Sequence, residues 1–375
     1  MSVFDDGVFV GRLMLSEGGH PRVVTIRGGQ VIDITAKVAP TVRDICEMAD
    51  PAAYVSAAPG RPIADLAALL QGQAKGVTLL SPIDLQAVKA SGVTFVVSLL
   101  ERVIEEQAKG DPFRADALRR DILDLIGEDL SDLVPGSDAA MAVKARLIER
   151  GVWSQYLEVG IGPDAEIFTK CQPMASVGHG AMIGLHPIST WNNPEPEVAV
   201  VVSSNGRIVG ATLGNDVNLR DVEGRSALLL GKAKDNNASA SLGPFIRLFD
   251  AGFGLDDVSA MEIGLQVTGR DGFELIGSCS MSQISRSPES LVAAAIGDHH
   301  HYPDGLVLYL GTMFAPVQDR DGQGQGFTHK LGDVVTISTP LLGALVNTVG
   351  VSTECPAWSY GTRALMADLA RAGLL

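Results

Sequence analysis

The sequence predicts an α+β protein dominated by mixed β-structure, with a smaller N-terminal α/β domain. Two observations carry this expectation. After Trp153 the chain turns Val-, Ile- and Gly-rich, and short apolar runs are punctuated by turn dipeptides such as Asn205-Gly206 and Asp271-Gly272. That is the pattern of strands joined by tight turns, not of repeated βαβ units. Residues 107–150, by contrast, are charged and amphipathic, as surface helices are. Taken in order, GVFVGRLML and PRVVTIRGGQVIDIT read as strands and PIADLAALLQ as a helix, which makes 1–75 the small domain. VTFVVS reads as a strand passing into a helix with Leu99, Val103 and Ile104 on its apolar side, and 76–150 is a connecting strand and helical segment. Residues 151–375 form the larger domain.

Composition excludes several classes of function. Lys and Arg number 29 against 44 Asp and Glu, for a net charge of −15, whereas phosphate binding needs clustered bases; nucleic acid is not an expected partner. A hydrophobic fraction of 46% argues against disorder. No apolar run approaches the length of a membrane span, so no membrane partner is expected. The start, MSVFDDGVFVG, places acids where a signal peptide needs bases, and a cytoplasmic protein is expected. The charged fraction of 19% is low for a soluble chain, as a large core plus a subunit interface would make it. Cys46, Cys171, Cys279 and Cys355 are widely spaced without a CxxC, and read as free thiols.

The segment WNNPEPEVAVVVSSNGRIVGATLGNDVNLRD carries the chemistry. Asn205-Gly206 between apolar runs predicts a hairpin closed by a two-residue type I′ turn. Ser204 then pairs with Arg207, Glu195 falls opposite Asp216, and Glu197 falls opposite Gly214. Side chains alternate with period two, so Glu195, Glu197 and Asp216 share one patch about 5–7 Å across. A solvated acidic rim is the plain alternative. Among apolar strands, however, a bare acidic cluster is costly, and a hard divalent cation, Mg²⁺ above all, resolves it.

With these residues in hand, the chain over roughly 90–375 resembles the fumarylacetoacetate hydrolase family. The resemblance rests on IFTKCQPMASVGHG, Glu195-x-Glu197, Asp216 in GNDVNLRD, Lys234 in GKAKDNNASASLGPF, and Gly311-Thr312 after LVLYL. It implies a β-sandwich roll for the larger domain and Mg²⁺ or Mn²⁺ held by Glu195, Glu197 and Asp216. A homodimer or dimer of dimers is implied as well. Many members carry N-x-x-x-H-x-x-E on a lid helix, whose His–Glu pair activates water. Here that stretch is Ser98-Leu-Leu-Glu-Arg102-Val-Ile-Glu105. Arginine cannot serve as a general base near neutral pH, so water-activating hydrolysis is disfavoured. Ser98 and Arg102 become substrate-binding candidates.

Over GVTFVVSLLERVIEE, WNNPEPEV, GNDVNLRDVEGRSALLLGKAKDNNAS, YPDGLVLYLGTMFAP and QDRDGQGQGFTHK the chain resembles the bacterial branch of 2-keto-3-deoxy-pentonate dehydratases, which act in non-phosphorylative D-xylose and L-arabinose breakdown and yield 2-oxoglutarate semialdehyde. This implies a hydro-lyase acting on a small 2-keto-3-deoxy sugar acid. Lys234 is the candidate C3 base or enolate stabiliser, with an ion pair to Asp235 or Asp216 as its structural alternative. Glu166 is the acid/base candidate, or a surface acid. Thr312 is a substrate-binding candidate, or a strand-end turn; Lys170 is another, or an exposed lysine. A hydrolase of acylpyruvate-like 2,4-diketo acids and a non-catalytic sugar-acid binding protein are the rival functions. His299–His301 and the glycine-rich GQGQG are read as loop residues, since adjacent histidines cannot converge on one ion and the loop lacks a phosphate-binding lysine.

Overall fold

The computed structural model describes residues 3–95, 99, 103–104, 106–108, 133–149, 151, 153–313, 316–323 and 325–375. The strands are β1 (Phe9–Leu15), β2 (Arg22–Arg27), β3 (Gln30–Asp33), β4 (Arg61–Asp65), β5 (Val77–Leu79), β6 (Ala87–Gly92), β7 (Glu166–Cys171) and β8 (Met182–Leu185). They continue with β9 (Pro196–Val202), β10 (Ile208–Asp216), β11 (Ala240–Leu248), β12 (Glu262–Thr268), β13 (Glu274–Ser280), β14 (Leu306–Tyr309), β15 (Val334–Thr339) and β16 (Gly343–Val351). A large mixed sheet runs β4-β3-β2-β1-β11-β10-β9-β14-β6-β7, with β5 also on β1; a five-stranded sheet runs β13-β12-β15-β16-β8. This is the mixed-β α+β architecture the sequence predicts. Strands β1–β4 join the large sheet through the antiparallel β1–β11 ladder.

The two sheets pack face to face. Val198, Val200, Val202, Ala211 and Leu213 of β9 and β10 meet Ile263, Leu265, Val335, Ile337 and Leu345 of the smaller sheet in one core. The opposite face of the large sheet, with Ala199 and Val201 of β9 and Val307 and Tyr309 of β14, packs on Val42, Ile45 and Val55 of the helices Val42–Cys46 and Pro51–Ala57. A strand covered on both faces reads as a continuous apolar run, which is why VAVVV shows no alternation. A third cluster gathers Leu99, Val103, Ile104, Leu147, Tyr156 and Leu157 around Trp191 and Val93, matching the apolar side expected of that helix.

Three local expectations are corrected. In PIADLAALLQ the first residues complete β4, and the helix begins at Leu66, where the Asp65 side chain caps the Ala68 N–H. The strand Ala87–Gly92 stops before residues 93–95 of VTFVVS, whose last three residues, 96–98, lie outside the described residues. It ends where Val93 takes φ +55°, a conformation a β-branched residue rarely adopts; Phe95 makes only an isolated bridge to Ile284.

The third correction is the hairpin turn. Its loop has three residues: Ser203 N–H donates to Arg207 O, Gly206 N–H donates to Ser203 O, and Gly206 takes φ +83°. Tertiary contacts override the two-residue preference. The Glu47 carboxylate accepts from Ser204 N–H at 2.7 Å and from its hydroxyl at 2.6 Å. The ladder starts one residue out of the expected register, with Val202 opposite Ile208. A bulge between Ile208 and Gly210 restores it, so Glu197 still lies opposite Gly214. The two-residue glycine turn with both φ positive occurs instead at Gly28-Gly29, between β2 and β3.

Candidate active site

The hairpin end remote from its turn presents three carboxylates. Asp216 N–H donates to Glu195 O at 3.1 Å, continuing the ladder beyond Pro196. Glu195, Glu197 and Asp216 are each 1% exposed, and each offers an oxygen within 4.8 Å of the others. Glu197 shares the odd-numbered face of Ala199 and Val201, away from the interior between the sheets. Gly214 makes room on this face: a Cβ there would collide with the Tyr309 ring, whose hydroxyl donates to Ser241 O at 2.7 Å.

Two buried lysines oppose the acids. Lys234, at the end of the short helix Leu230–Lys234, contacts a Glu195 oxygen and lies 3.2 Å from Asp216 Oδ2. Lys170 of β7 lies 2.8 Å from Asp216 Oδ1 and donates to Val217 O at 3.2 Å. Three negative charges thus face two positive ones, leaving an excess of one. That excess falls on Glu197: burial, then the charges of Asp216 and Glu195, raise its carboxyl well above the usual range, against the opposing pull of Lys234 and the Gly311 N–H. Burial would raise Asp216 too, but the two ammonium groups hold it below its ordinary value.

Gly311 N–H donates to Glu197 Oε2 at 2.7 Å. Gly311 takes φ +99°, and a Cβ there would strike the Thr94 hydroxyl, which bonds Leu310 O at 2.6 Å. Both constraints require glycine. Gly311→Ala is therefore expected to weaken Mg²⁺ binding by roughly tenfold or more, as loss of a ligand-orienting group does. Calorimetric titration checks it, with melting curves to confirm folding.

A small, largely enclosed cavity of about 20 Å³ lies over the acids. Glu195, Asp216 and Lys234 form one part of its wall, and Ser91, Gly92, Glu166 and Thr312 another; Tyr156, Phe168 and Glu223 also line it. The structure therefore brings together the metal-ligand candidates, Lys234, Glu166 and Thr312. Lys234 pairs with Asp216, as its structural alternative foresaw, but with Glu195 in place of Asp235. Lys170 departs from expectation. It is neither an exposed lysine nor a lining residue, but is fully buried as an ion-pair partner of Asp216. Ser98, Arg102 and Glu105 lie outside the described residues. Tyr156, Glu223 and Ser91 were missed; each sits in a segment without a spacing signal, and only the fold assembles them. A larger hollow lined by Arg22, Arg61 and Arg371 lacks this chemistry. Its acids are already paired, Asp33 with Arg61 and Asp368 with Arg371.

A family model described as Fumarylacetoacetate (FAA) hydrolase C-terminal matches residues 155–350. The chain belongs to the fumarylacetoacetate hydrolase family. All three carboxylates, both lysines, Glu166 and Thr312 fall inside the matched region, while Ser91 lies outside it. A 2-dehydro-3-deoxy-D-arabinonate dehydratase of Saccharolobus solfataricus is 34% identical over 186 residues, covering 49% of this chain and 58% of that protein. A probable 2-keto-3-deoxyxylonate dehydratase of Haloferax volcanii is 33% identical over 208 residues, covering 55% and 67%. The alignment thus spans little more than half the length of the first of these relatives. Among solved structures, apo 2-keto-3-deoxy-D-arabinonate dehydratase superposes with a TM-score of 0.62 at 23% identity, over 92% of this chain and 99% of the other. A form complexed with magnesium and 2,5-dioxopentanoate gives the same TM-score at 22% identity. These superpositions place the chain in the family fold.

The donor set suits a hard cation: three carboxylates and no sulfur or imidazole. Because the Glu197 carboxyl is raised, its protonated form favours the folded metal-free protein, and that contribution is lost as pH rises through the folded value. A cation that replaces the proton compensates more at higher pH. Mg²⁺ is thus expected to raise the melting temperature more at about pH 8 than at about pH 5.5; a pH-independent shift would contradict this charge balance. Among the described residues no helix is long and apolar enough to cross a membrane. Three of the four cysteines are buried, all four are free, and burial pushes the Cys171 thiol up to about 12.

Proposed function

We propose that the protein is a Mg²⁺-dependent hydro-lyase that dehydrates a 2-keto-3-deoxy-pentonate to 2,5-dioxopentanoate (2-oxoglutarate semialdehyde) in pentose-acid breakdown. The observation that carries this is the buried trio Glu195, Glu197 and Asp216, with the Lys234 ammonium against Glu195 and Asp216, beside a cavity that Glu195, Asp216 and Lys234 line. Both aligned relatives bear dehydratase names, which supports the same reading. The three carboxylates would hold the cation, which when bound supplies Lewis acidity toward the carboxylate and C2 oxygen of a 2-keto acid.

The chain's own groups account for the proton movements. Lys234 is held by carboxylate oxygens that a cation would take; with those ion pairs weakened, its ammonium would give up a proton to solvent and the neutral amine would accept the C3 proton. The C3–H electron pair forms the C2–C3 enolate. Its collapse breaks the C4–O bond, and Glu166, which lines the cavity, would protonate the departing hydroxide, giving water. Transfer of a C5 proton to C3 and tautomerisation of the resulting C5 enol then give the aldehyde. No hydrolytic water is needed. With C2 a ketone and C3 a methylene, C4 is the one stereocentre left. D-arabinonate and D-xylonate therefore yield the same 2-keto-3-deoxy acid, and L-arabinonate its C4 epimer.

The test is incubation of the purified protein with both C4 epimers, with and without Mg²⁺, monitoring semialdehyde through a coupled dehydrogenase. Mg²⁺-dependent semialdehyde is expected. Undiminished activity after chelation would defeat the metal role, and pyruvate plus a second acid from a 2,4-diketo acid would mark a hydrolase instead. Assembly as a homodimer or dimer of dimers is part of this reading. Exposed Leu228 and Ile276 offer apolar surface for it, and light scattering would measure it.

A further inference from the structure

We infer that Ser91 is a specificity-determining residue whose hydroxyl binds the terminal C5 oxygen of the substrate; this rests on the dehydratase reading. Ser91 stands at the end of β6, where it pairs with Ile167 of β7, beside the Gly92–Glu166 pair. It is 2% exposed, and its Oγ has no hydrogen-bond partner among the described residues. It nonetheless lines the same cavity as Glu195, Asp216, Lys234 and Thr312. A buried hydroxyl without a partner costs about 1–3 kcal/mol, so a native chain keeps one where something outside the protein completes it. Val88 and Ala90, on the other face of the same strand, pack into the core, while Ser91 lines the cavity.

Chemistry selects which substrate atom Ser91 meets. The keto-acid end belongs with the carboxylate trio and Lys234, where a cation and an ammonium meet negative charge. The departing C4 hydroxyl needs a carboxylic acid as its proton donor, a role an alcohol cannot fill, and Glu166 is the carboxyl on that wall of the cavity. The remaining polar group is the C5 oxygen, an alcohol in the substrate and an aldehyde oxygen in the product. A serine hydroxyl donates to both and accepts from the first. Glu166 overlies Gly92, whose missing side chain leaves it space, so the proton donor and Ser91 adjoin on one wall, as C4 and C5 adjoin in the substrate.

A site built to bond a substrate hydroxyl rejects an analogue that lacks it. The experiment compares the wild type and Ser91→Ala with two compounds: the 4,5-dihydroxy-2-oxo acid and 4-hydroxy-2-oxopentanoate, which keeps the leaving hydroxyl but ends in a methyl group. Consumption of each compound is followed. With Ser91→Ala, kcat/KM for the dihydroxy acid should fall by roughly 30-fold while that for the methyl analogue changes less than about threefold, erasing the preference. The metal-free melting temperature should stay level or rise, because the variant removes an unsatisfied buried group. Equal losses on both compounds, or no loss on either, would overturn the assignment. Wild-type turnover of neither compound would defeat the dehydratase reading and this assignment with it; turnover with unaltered discrimination in the variant defeats the assignment alone.

Discussion

Glu197→Ala is expected to abolish Mg²⁺ binding and to reduce turnover by at least about 10³-fold, since losing a ligand forfeits several kcal/mol of charge stabilisation. Glu197 is the trio member whose charge is least compensated. Both ammonium groups pair with Asp216 and one with Glu195, whereas Glu197 has the Gly311 N–H. Alanine leaves that N–H without its acceptor, at about 1–3 kcal/mol. Glu197→Gln separates the effects by keeping an acceptor while removing the charge. It should melt at or above the wild-type metal-free temperature and still bind Mg²⁺ poorly. Isothermal titration with melting curves reads both quantities, and wild-type affinity in either variant would remove Glu197 from the ligand set.

Lys234→Met is expected to do the reverse: turnover falls by about 10²–10⁴-fold, the usual scale for a proton-transfer group, while Mg²⁺ binding holds or tightens. The ammonium competes with a cation for Glu195 and Asp216 oxygens, so deleting it removes a like charge from the cation's neighbourhood. The apo variant should be less stable, because among the described residues Lys170 is then the one lysine left paired with any of the three acids. Assaying it with saturating Mg²⁺ corrects for that. Near wild-type turnover with metal bound would exclude Lys234 as the base or enolate stabiliser, and loss of metal binding would make its role structural.

What could be read from the sequence follows from the range of the forces involved. The acids were legible because period-two alternation and hairpin pairing are local rules; Glu195, Glu197 and Asp216 needed only a register. The turn itself was misread, because Ser204 is held by Glu47, some 157 residues earlier in the chain, a contact no local rule contains. Lys170 was misplaced for a similar reason. Its surroundings, Val217, Ser239 and Asp216, come from β10 and the segments beside β11, so nothing in IFTKC distinguishes a buried lysine from an exposed one. The end of β6 was missed because a left-handed valine is a price local propensity would not accept; Val93 adopts it inside a packed cluster with Tyr156 and Trp191. Ser91 carried no signal at all, since one serine before a glycine is unremarkable until β7 and the residues after β14 close around it.

The bulge between Ile208 and Gly210 has a bearing on how the chain finds its native pairing. Without that extra residue, a ladder zipped regularly from the three-residue loop would set Asn215 opposite Glu195 and turn Asp216 to the other side of the sheet. The strands themselves discriminate poorly between the two frames, because β9 and β10 are apolar toward both cores and a hydrophobic side is offered either way. The slipped frame is therefore a near competitor during folding. It differs most in scattering two acids and their lysine partners into separate apolar layers, where neither charge is matched. The residues that make the protein chemically active thus also act as a proofreading key for strand pairing, and a frame error is penalised at the one place where function would be lost.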